Sequence, residues 1–440
     1  MPQTTPFLRY VNVMEWFDAV PFMIGCADAA HQVEGNLVND WTVFEETHPE
    51  AIADRSRSGI ACDTYHRYEE DLDRLAALHG NAYRFSIEWS RVEPHEGVID
   101  AKALEHYRKV IAACRERGIE PIVTLHHFTL PVWLAHRGGI LASDVPYAFA
   151  RYAAACVAAL GDIVTWWVTV NEPNVLAVMS YLYGYWPPQE HSLPKTVHAF
   201  AQLARMHAAA TVAVRDVAAR NGWTAHVSFA HHVRPFQPAN PMLPSDVAAA
   251  ASMDWLFNSW MLEACRTGRL LPPIGRGEEV YGLRGSLDYL GINHYTGEEV
   301  HLTLRGAEVK PRRGYPLTEN SLAIDPLLFE SVLISAWDTY HLPILVTENG
   351  VADRTDDLRP AFLEDHLHAV QRARANGIPV LGYCYWSLLD NFEWHEGYSM
   401  HFGLFAVDRT SLERTPRPSA ETFSRIAGEM AGERVPIVPR

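Results

Sequence analysis

Two glutamates stand where apolar stretches of the sequence end. Glu172 follows the run IVTWWVTVN, and Glu348 follows ILVT. Each run is typical of a buried strand, and each glutamate is followed by residues that favour a turn. In parallel α/β folds, ligands and chemistry lie at the carboxyl ends of the strands. Taken alone, Glu348 fits an ordinary turn cap as well as it fits a catalytic carboxylate.

A facing pair of carboxylates suits the hydrolysis of an acetal. One acid protonates the leaving oxygen, while the other attacks or stabilises an oxocarbenium-like centre. A carboxylate beside a cation and a hydroxyl donor stays ionised, whereas a partner in drier, anionic surroundings keeps its proton. Because Glu172 and Glu348 are far apart in the sequence, only the fold can bring them together.

Eight short apolar stretches alternate with helical patterns along the chain. The predicted strands are 22–27, 81–87, 119–126, 163–171, 225–230, 287–293, 344–347 and 379–386. The predicted helices are 63–79, 101–117 (with Asp100 as N-cap), 144–160, 195–221, 245–265, 326–340, 359–376 and 420–431. This alternation predicts an α/β fold of the (β/α)8 TIM-barrel class. A doubly wound sheet is the alternative, but no Gly-x-Gly-x-x-Gly follows the first strand.

We expect residues 1–440 to form a single (β/α)8 catalytic domain with its core at about 20–431, because no linker divides the chain. In a barrel, the carboxyl ends of the strands share one rim, and the fourth and seventh strands lie on opposite sides of it. Glu172 and Glu348 would then face each other across the mouth. The other candidate residues at this rim are His31, Gln32, Arg84, His126, His127, Asn171, Asn293, Tyr295 and Trp386.

The composition excludes several classes of partner and cofactor. A formal net charge of −16 disfavours nucleic acid and anionic membranes. The six cysteines are widely spaced and include no Cys-x-x-Cys pair, so free thiols are expected. Adjacent residues on a strand point to opposite faces, so His126 and His127 do not form a metal pair. The sequence shows no signal peptide and no apolar stretch of ~18 residues, so a cytoplasmic location is expected. No metal and no cofactor are expected either.

Several segments, in this order, resemble the family-1 glycoside hydrolases, which are retaining β-glycosidases with a (β/α)8 barrel. The segments are AAHQVEG, CDTYHRYEEDL, NAYRFSIEWSRVEP, TLHHFTLPVWL, VTVNEP, YLGINHYTG, LVTENG and WSLLDNFEWHEGY. They span nearly the whole chain, from about residue 22 to residue 408. The resemblance implies an exo-acting β-glucosidase, with galactosides or fucosides as further substrates.

The resemblance also implies roles for individual residues. Glu172 matches the acid/base of the family and Glu348 its nucleophile, while Arg84, Asn293 and Tyr295 match residues that orient the nucleophile and keep it ionised. Asn171 matches the residue that binds the sugar 2-hydroxyl. The remaining sugar contacts are implied for Gln32, His126, Glu393 and Trp394, with Trp386 beneath the sugar ring and Phe402 at the pocket wall near C6.

Alternatives remain open within and beyond this family. A 6-phospho-β-glycosidase is disfavoured because Glu393 stands where those enzymes usually carry serine. A transglycosylase would share the same covalent chemistry, and a non-catalytic sugar receptor would lack one of the two carboxylates. Leu322 stands where many members present a tryptophan to the leaving group, so the aglycone is not predicted. The expected partners are small β-glycosides or oligosaccharides, and the sequence leaves homo-oligomer formation open.

Overall fold

The computed structural model describes residues 20–433, and at its centre lies a closed barrel of eight parallel strands. Each strand pairs with its neighbours in sequence, and β8 pairs with β1 to close the ring. This arrangement confirms the predicted (β/α)8 fold. The strands are β1 (Met23–Ala27), β2 (Ala82–Ser86), β3 (Glu120–His126), β4 (Trp166–Asn171), β5 (His226–His232), β6 (Leu290–Asn293), β7 (Ile344–Asn349) and β8 (Val380–Trp386).

One long helix or helical stretch follows each strand and packs outside the barrel. These are α1 (Thr64–Ala77), α2 (Ala101–Glu116), α3 (Val145–Leu160), α4 (Leu193–Asn221), α5 (244–267), α6 (Pro326–Tyr340), α7 (Arg359–Ala375) and α8 (Pro418–Met430). A π-helical segment, Trp255–Ser259, interrupts α5 between Pro244–Asp254 and Trp260–Thr267. Among residues 20–433, no helix combines the length and the apolar character that crossing a bilayer requires.

Shorter elements decorate the loops. A three-stranded sheet contains Phe236–Pro238, Glu298–Thr303 and Gly306–Pro311, and a two-stranded sheet pairs Phe405–Val407 with Arg414–Pro416. The short helices are Ala30–Val33, Asp40–Thr47, Trp89–Val92, Val132–His136 and Pro173–Ala177, with a π-helical segment at Val178–Leu182. Single 3-10 turns occur at Pro49–Ala51, Gly139–Leu141 and Trp394–Glu396.

The local sequence accounts for the elements that position the site. The barrel strands are apolar and almost entirely buried, as expected for parallel strands covered on both faces. The carboxylate of Asp100 accepts a hydrogen bond from the backbone N–H of Lys102 at 2.8 Å, which confirms the predicted N-cap of α2. All six cysteines are buried free thiols.

Several predicted strand boundaries need correction. β4 begins at Trp166 rather than at residue 163, because Ile163 N–H bonds the Leu160 carbonyl in a turn. β5 continues two residues further than predicted, to His232. β7 continues to Asn349, whose side-chain amide donates to the His294 carbonyl at 2.6 Å and so joins the barrel.

Asn349 therefore does not start the turn that its sequence pattern suggests. Its Oδ1 accepts a hydrogen bond from the Tyr383 hydroxyl at 2.8 Å. The chain leaves the strand at Gly350, where a Cβ atom would lie only 2.0 Å from the Trp386 carbonyl oxygen. The close approach of β8 thus requires glycine directly after the end of β7.

A buried ion pair ties the C-terminal part of the fold to the first helix. The Arg414 guanidinium contacts both carboxylate oxygens of Asp71, at 2.9 and 3.0 Å, and donates to the Cys62 carbonyl at 2.6 Å. Both side chains are almost completely buried. Removing one charge from such a pair leaves the other buried and uncompensated.

We predict that Arg414→Met destabilises the protein by about 3–5 kcal/mol. The double variant Arg414→Met/Asp71→Leu should lose less than the sum of the two single variants, because no charge is left unpaired. Urea unfolding of all three variants measures these effects. The exposed pair Arg425–Glu364 provides the control, and Arg425→Met should change stability by about 1 kcal/mol or less. Equal losses at both sites, or additive losses in the double variant, would contradict the prediction.

Candidate active site

A cavity of about 670 Å³ opens at the carboxyl ends of the barrel strands. Both glutamates singled out in the sequence line it, Glu172 from the end of β4 and Glu348 from β7. The structure thus brings together two carboxyl groups that are far apart in the chain. Other predicted site residues that line the same cavity are Asn171, Tyr295, Glu393, Trp394 and Phe402.

A cation and a hydroxyl group hold the Glu348 carboxylate. Arg84 from β2 donates a hydrogen bond to Glu348 Oε1, and the Tyr295 hydroxyl donates to Oε2 at 2.7 Å. Glu348 is 4% exposed and Arg84 is completely buried. Both partners favour the ionised form of Glu348.

The Arg84 guanidinium donates hydrogen bonds to several groups inside the barrel. Its Nε donates to the Thr124 hydroxyl at 3.1 Å, and one terminal nitrogen donates to the Thr347 carbonyl at 3.2 Å. The other terminal nitrogen donates to Asn171 Oδ1 at 2.6 Å. These contacts reach from β2 to β3, β4 and β7, so the orientation of Arg84 is fixed by several strands at once.

Glu172 lies just after β4, in the turn that leads into Pro173–Ala177. Its φ of 40° is in the left-handed region, which is uncommon for a non-glycine residue and often marks a functional position. Its Oε1 accepts a hydrogen bond from Asn293 Nδ2 at 2.8 Å and contacts His232 Nδ1 at 2.9 Å. The carboxyl group is therefore held by an amide and an imidazole, without a direct contact to arginine.

The two glutamates titrate as a pair because both are buried at the same cavity. Burial raises the pKa of Glu348 to about 7; the charge of Arg84 opposes this rise, and the charge of Glu172 adds to it. Burial also raises the pKa of Glu172, but the charge of a protonated His232 and hydrogen bonds from His232 and Asn293 leave it lowered. The nearness of the two groups thus opposes the ionisation of both at once.

A different cation acts on each glutamate: the charge of Arg84 acts on Glu348, and that of His232, when protonated, acts on Glu172. His232 is cationic only when protonated, whereas Arg84 is permanently charged. When the imidazole is neutral, its charge no longer acts on Glu172, while Arg84 and Tyr295 still favour ionised Glu348. In that state the surroundings favour the ionised form of Glu348 over that of Glu172.

A third carboxyl group, that of Glu393, lies at the same cavity. The side-chain amide of Gln32 donates to Glu393 Oε2 at 3.2 Å and to Asn391 Oδ1 at 3.0 Å. Burial raises the pKa of Glu393 to about 8, and the charges of Glu348 and Glu172 add to the rise. Gln32 Oε1 is buried without a hydrogen-bond partner in the part of the chain that the structure describes. Gln32 and Glu393 thus offer polar groups for sugar hydroxyls.

Four flat rings stack in a row beside the site, and the two middle rings, Trp394 and His127, line the cavity. His31 stacks on Trp394 with ring centroids 5.4 Å apart, Trp394 stacks on His127 at 5.9 Å, and His127 stacks on Trp386 at 5.8 Å. His31 is buried behind Trp394, where it contacts Glu45 Oε1 at 2.9 Å. His31 therefore supports the row of rings instead of lining the cavity.

His126, which we expected to contact a sugar, does not line the cavity. Adjacent strand residues point to opposite sides, and here His127 faces the cavity, where its Nε2 lies 3.1 Å from Asn171 Nδ2. The His126 ring packs edge-on against Trp89 and Phe149 outside the barrel interior. His127 is therefore the histidine at the end of β3 that faces the cavity.

His232 is the site residue that sequence reasoning missed. The predicted fifth strand stopped at Ala230, so its two final histidines were not assigned to the rim. His231 points the other way and contacts the Asn258 carbonyl at 2.7 Å. The pattern AHVSFAHH ends an apolar run on polar residues, which is the signal that identified the end of β4. No group of three or more His, Cys, Asp or Glu side chains between residues 20 and 433 could hold a metal ion.

Comparisons with known proteins agree with this geometry. The family model described as glycosyl hydrolase family 1 matches residues 14–431. Beta-glucosidase 47 of Arabidopsis thaliana is 32% identical, with 91% of this chain and 83% of that protein covered.

Two solved structures extend the likeness to three dimensions. A beta-glycosidase from Pyrococcus horikoshii is 35% identical with a TM-score of 0.84, covering 94% of this chain and 95% of that one. The beta-glucosidase from Thermotoga maritima in complex with glucoimidazole is 28% identical with a TM-score of 0.86, covering 94% and 100%. By sequence and by fold, this chain belongs to glycosyl hydrolase family 1.

Proposed function

We propose that this protein is a retaining exo-β-glycosidase that removes terminal β-D-glucosyl residues through a covalent glycosyl-enzyme intermediate. The observation that carries the proposal is the unequal environment of the two glutamates at one cavity. Glu348 contacts Arg84 and Tyr295, whereas Glu172 contacts Asn293 and His232. One carboxyl group is thereby suited to attack as an anion and the other to deliver a proton.

In the first step, a carboxylate oxygen of Glu348 attacks the anomeric carbon as the glycosidic C–O bond breaks. The leaving oxygen takes the proton of Glu172, and an ester joins the sugar to Glu348. In the second step, Glu172 removes a proton from water, and the water oxygen attacks the anomeric carbon. The ester bond then breaks, Glu348 regains its negative charge, and the sugar leaves with its original configuration.

Polar groups around the glutamates support a sugar in the adjoining space. Asn171 is held by Arg84 and His127, in the position proposed to bind the 2-hydroxyl. Gln32, Glu393, Trp394 and His127 are proposed for the other hydroxyls. Trp386 is proposed beneath the sugar ring and Phe402 at the wall near C6, where it stands edge-on to Tyr295.

The names of relatives favour glucose as the sugar. The Arabidopsis and Thermotoga proteins are both named beta-glucosidases, and the second was solved with glucoimidazole. The Thermotoga enzyme was also solved with galacto-hydroximolactam, which fits our expectation of secondary activity on galactosides. A 6-phosphoglycoside is disfavoured, because its phosphate would meet the carboxyl group of Glu393 and two further buried carboxyl groups. A transglycosylase would share these same residues and differ in its acceptor.

We predict that Glu348→Gly lowers kcat for 4-nitrophenyl β-D-glucoside by roughly 10⁴-fold or more, because no nucleophile remains. For Glu172→Ala, hydrolysis of an activated aryl glucoside should slow at the second step, because no base activates water. Added azide should then restore turnover and give the β-glucosyl azide, as identified by NMR. An α-azide product from Glu172→Ala, or near-normal turnover by Glu348→Gly, would contradict the assignment of roles.

His232 is proposed as a positioning residue for Glu172. Its Nδ1 lies 2.9 Å from Glu172 Oε1, and its ring stacks on Tyr295 with centroids 5.7 Å apart. The hydrogen bond and the charge of the protonated ring both lower the pKa of Glu172. Since deprotonation of the acid ends activity at high pH, His232 sets the alkaline limb of the pH profile.

We predict that His232→Leu moves the alkaline limb of kcat/KM upward by roughly one pH unit, because the pKa of Glu172 rises when His232 is lost. His232→Gln, whose amide can still donate to Glu172 but carries no charge, should restore only the part of the shift that comes from the hydrogen bond. His231→Leu is the matched control: it removes the adjacent imidazole, which faces away, and should leave the limb in place. An unchanged limb or a downward shift in His232→Leu would contradict the role, since a merely structural residue would lower activity without moving the limb.

A further inference from the structure

Away from the glutamates, the same cavity is walled mostly by apolar side chains. We call this region the apolar lobe and define it by Met179, Leu182, Phe200, Leu256, Phe257 and Leu322. The lobe and the glutamates belong to one continuous cavity of about 670 Å³, a volume in the range that holds drug-sized ligands. A sugar placed against Glu348 therefore has the apolar lobe beside its leaving group.

Two π-helical segments build much of the apolar lobe. Val178–Leu182 supplies Met179 and Leu182, and Trp255–Ser259 supplies Leu256 and Phe257. π-Helical turns are rare and occur most often at functional sites, because the extra residue redirects side chains. Both such segments in the described part of the chain contribute side chains to this one cavity.

Several polar groups of the lobe already have partners of their own, although Arg234 Nε is buried without one among the described residues. Arg234 pairs with Glu298 at 3.3 Å, so their charges compensate. The Thr196 hydroxyl donates to the Ser192 carbonyl at 2.9 Å. Asn320 Oδ1 accepts from the Thr318 hydroxyl at 2.5 Å. A second sugar ring would bury several hydroxyl groups here with few partners, which opposes its binding.

The entrance to the lobe is apolar as well. Leu193, at the start of α4, is 64% exposed, and Tyr183 is 44% exposed. Exposed apolar residues beside a cavity are typical of a binding site for an apolar ligand. Leu322 lines the lobe at the position where, by the resemblance, many family members present a tryptophan to the leaving group. A leucine at this position offers no ring for stacking on a sugar.

We propose that the apolar lobe binds the aglycone, and that the preferred substrates carry a bulky, uncharged aromatic or aliphatic aglycone in place of a second sugar. This inference rests on the proposed function, because the lobe becomes an aglycone site only if Glu348 and Glu172 cleave a glycoside beside it. The lobe then discriminates between substrates by their leaving groups, while the glycone is recognised elsewhere in the cavity.

The test compares octyl β-D-glucoside with cellobiose, whose leaving groups are both alcohols and differ mainly in polarity. The kcat/KM for octyl glucoside should exceed that for cellobiose by at least tenfold. The apolar lobe would bury the octyl chain, whereas the hydroxyl groups of the second glucose of cellobiose would find few hydrogen-bond partners there. An equal or larger kcat/KM for cellobiose would overturn the inference. Hydrolysis of 4-nitrophenyl β-D-glucoside tests the proposed function separately: with no cleavage of any β-glycoside in an aryl panel, the proposed function fails and the inference with it.

Two variants place polar atoms in the lobe with little change of volume. Met179→Gln and Leu256→Asn should each lower the ratio of kcat/KM for octyl glucoside to that for cellobiose by at least fivefold. Leu327→Asn is the matched control, because Leu327 is a helical leucine, 67% exposed on α6, outside the lobe. The ratio is independent of the fraction of folded enzyme. An unchanged ratio in both lobe variants, or an equal fall in the control, would overturn the assignment of the lobe.

Discussion

The buried contact between Arg84 and Glu348 is the interaction on which the rest of the site depends. Burying a charge costs several kcal/mol unless it is paired and hydrogen-bonded, and Arg84 is completely buried in the barrel. Its planar fork is satisfied by the Thr124 hydroxyl, the Thr347 carbonyl, Asn171 and the Glu348 carboxylate. The same contacts therefore stabilise the charge, tie four strands together and fix the direction in which Glu348 points. Such an arrangement is organised before substrate arrives, as transition-state stabilisation requires.

The two glutamates are linked by hydrogen bonds through the side-chain amides of Asn171 and Asn293, and their charges act on each other. Asn171 Oδ1 accepts hydrogen bonds from both Arg84 and Asn293, and the same Asn293 nitrogen donates to Glu172. One chain of hydrogen bonds thereby links the surroundings of the two carboxyl groups. Burial raises the pKa of Glu348 to about 7 and that of Glu393 to about 8. The charge of Glu172 adds to both rises, and the charge of Glu348 adds to that of Glu393. The proposed chemistry uses this coupling: when Glu348 loses its charge on forming the ester, Glu172 becomes easier to ionise and ready to activate water.

The sequence was sufficient for features that depend on local pattern, and insufficient for features that depend on register and helix geometry. Continuous apolar runs predicted the barrel strands, and polar residues at their ends predicted the positions of Glu172 and Glu348. The run TLHHF, however, does not say which histidine faces inward, because a shift of one residue exchanges the two faces of a strand. The position of His232 depended on a strand end two residues further along. The apolar lobe is built from π-helical segments and distant loops, which leave no periodic signal in the sequence.

The proposed mechanism requires a covalent bond between Glu348 and the sugar. A 2-deoxy-2-fluoro-β-D-glucoside with an activated leaving group slows the second step more than the first, so that the intermediate accumulates. Peptide mapping by mass spectrometry should then find one added fluoroglucosyl group on the peptide containing ILVTENG, located at Glu348, and Glu348→Gln should remain unlabelled under the same conditions. Labelling of Glu172 or Glu393 instead, or hydrolysis of the β-glucoside with inversion and no labelled peptide, would contradict the account.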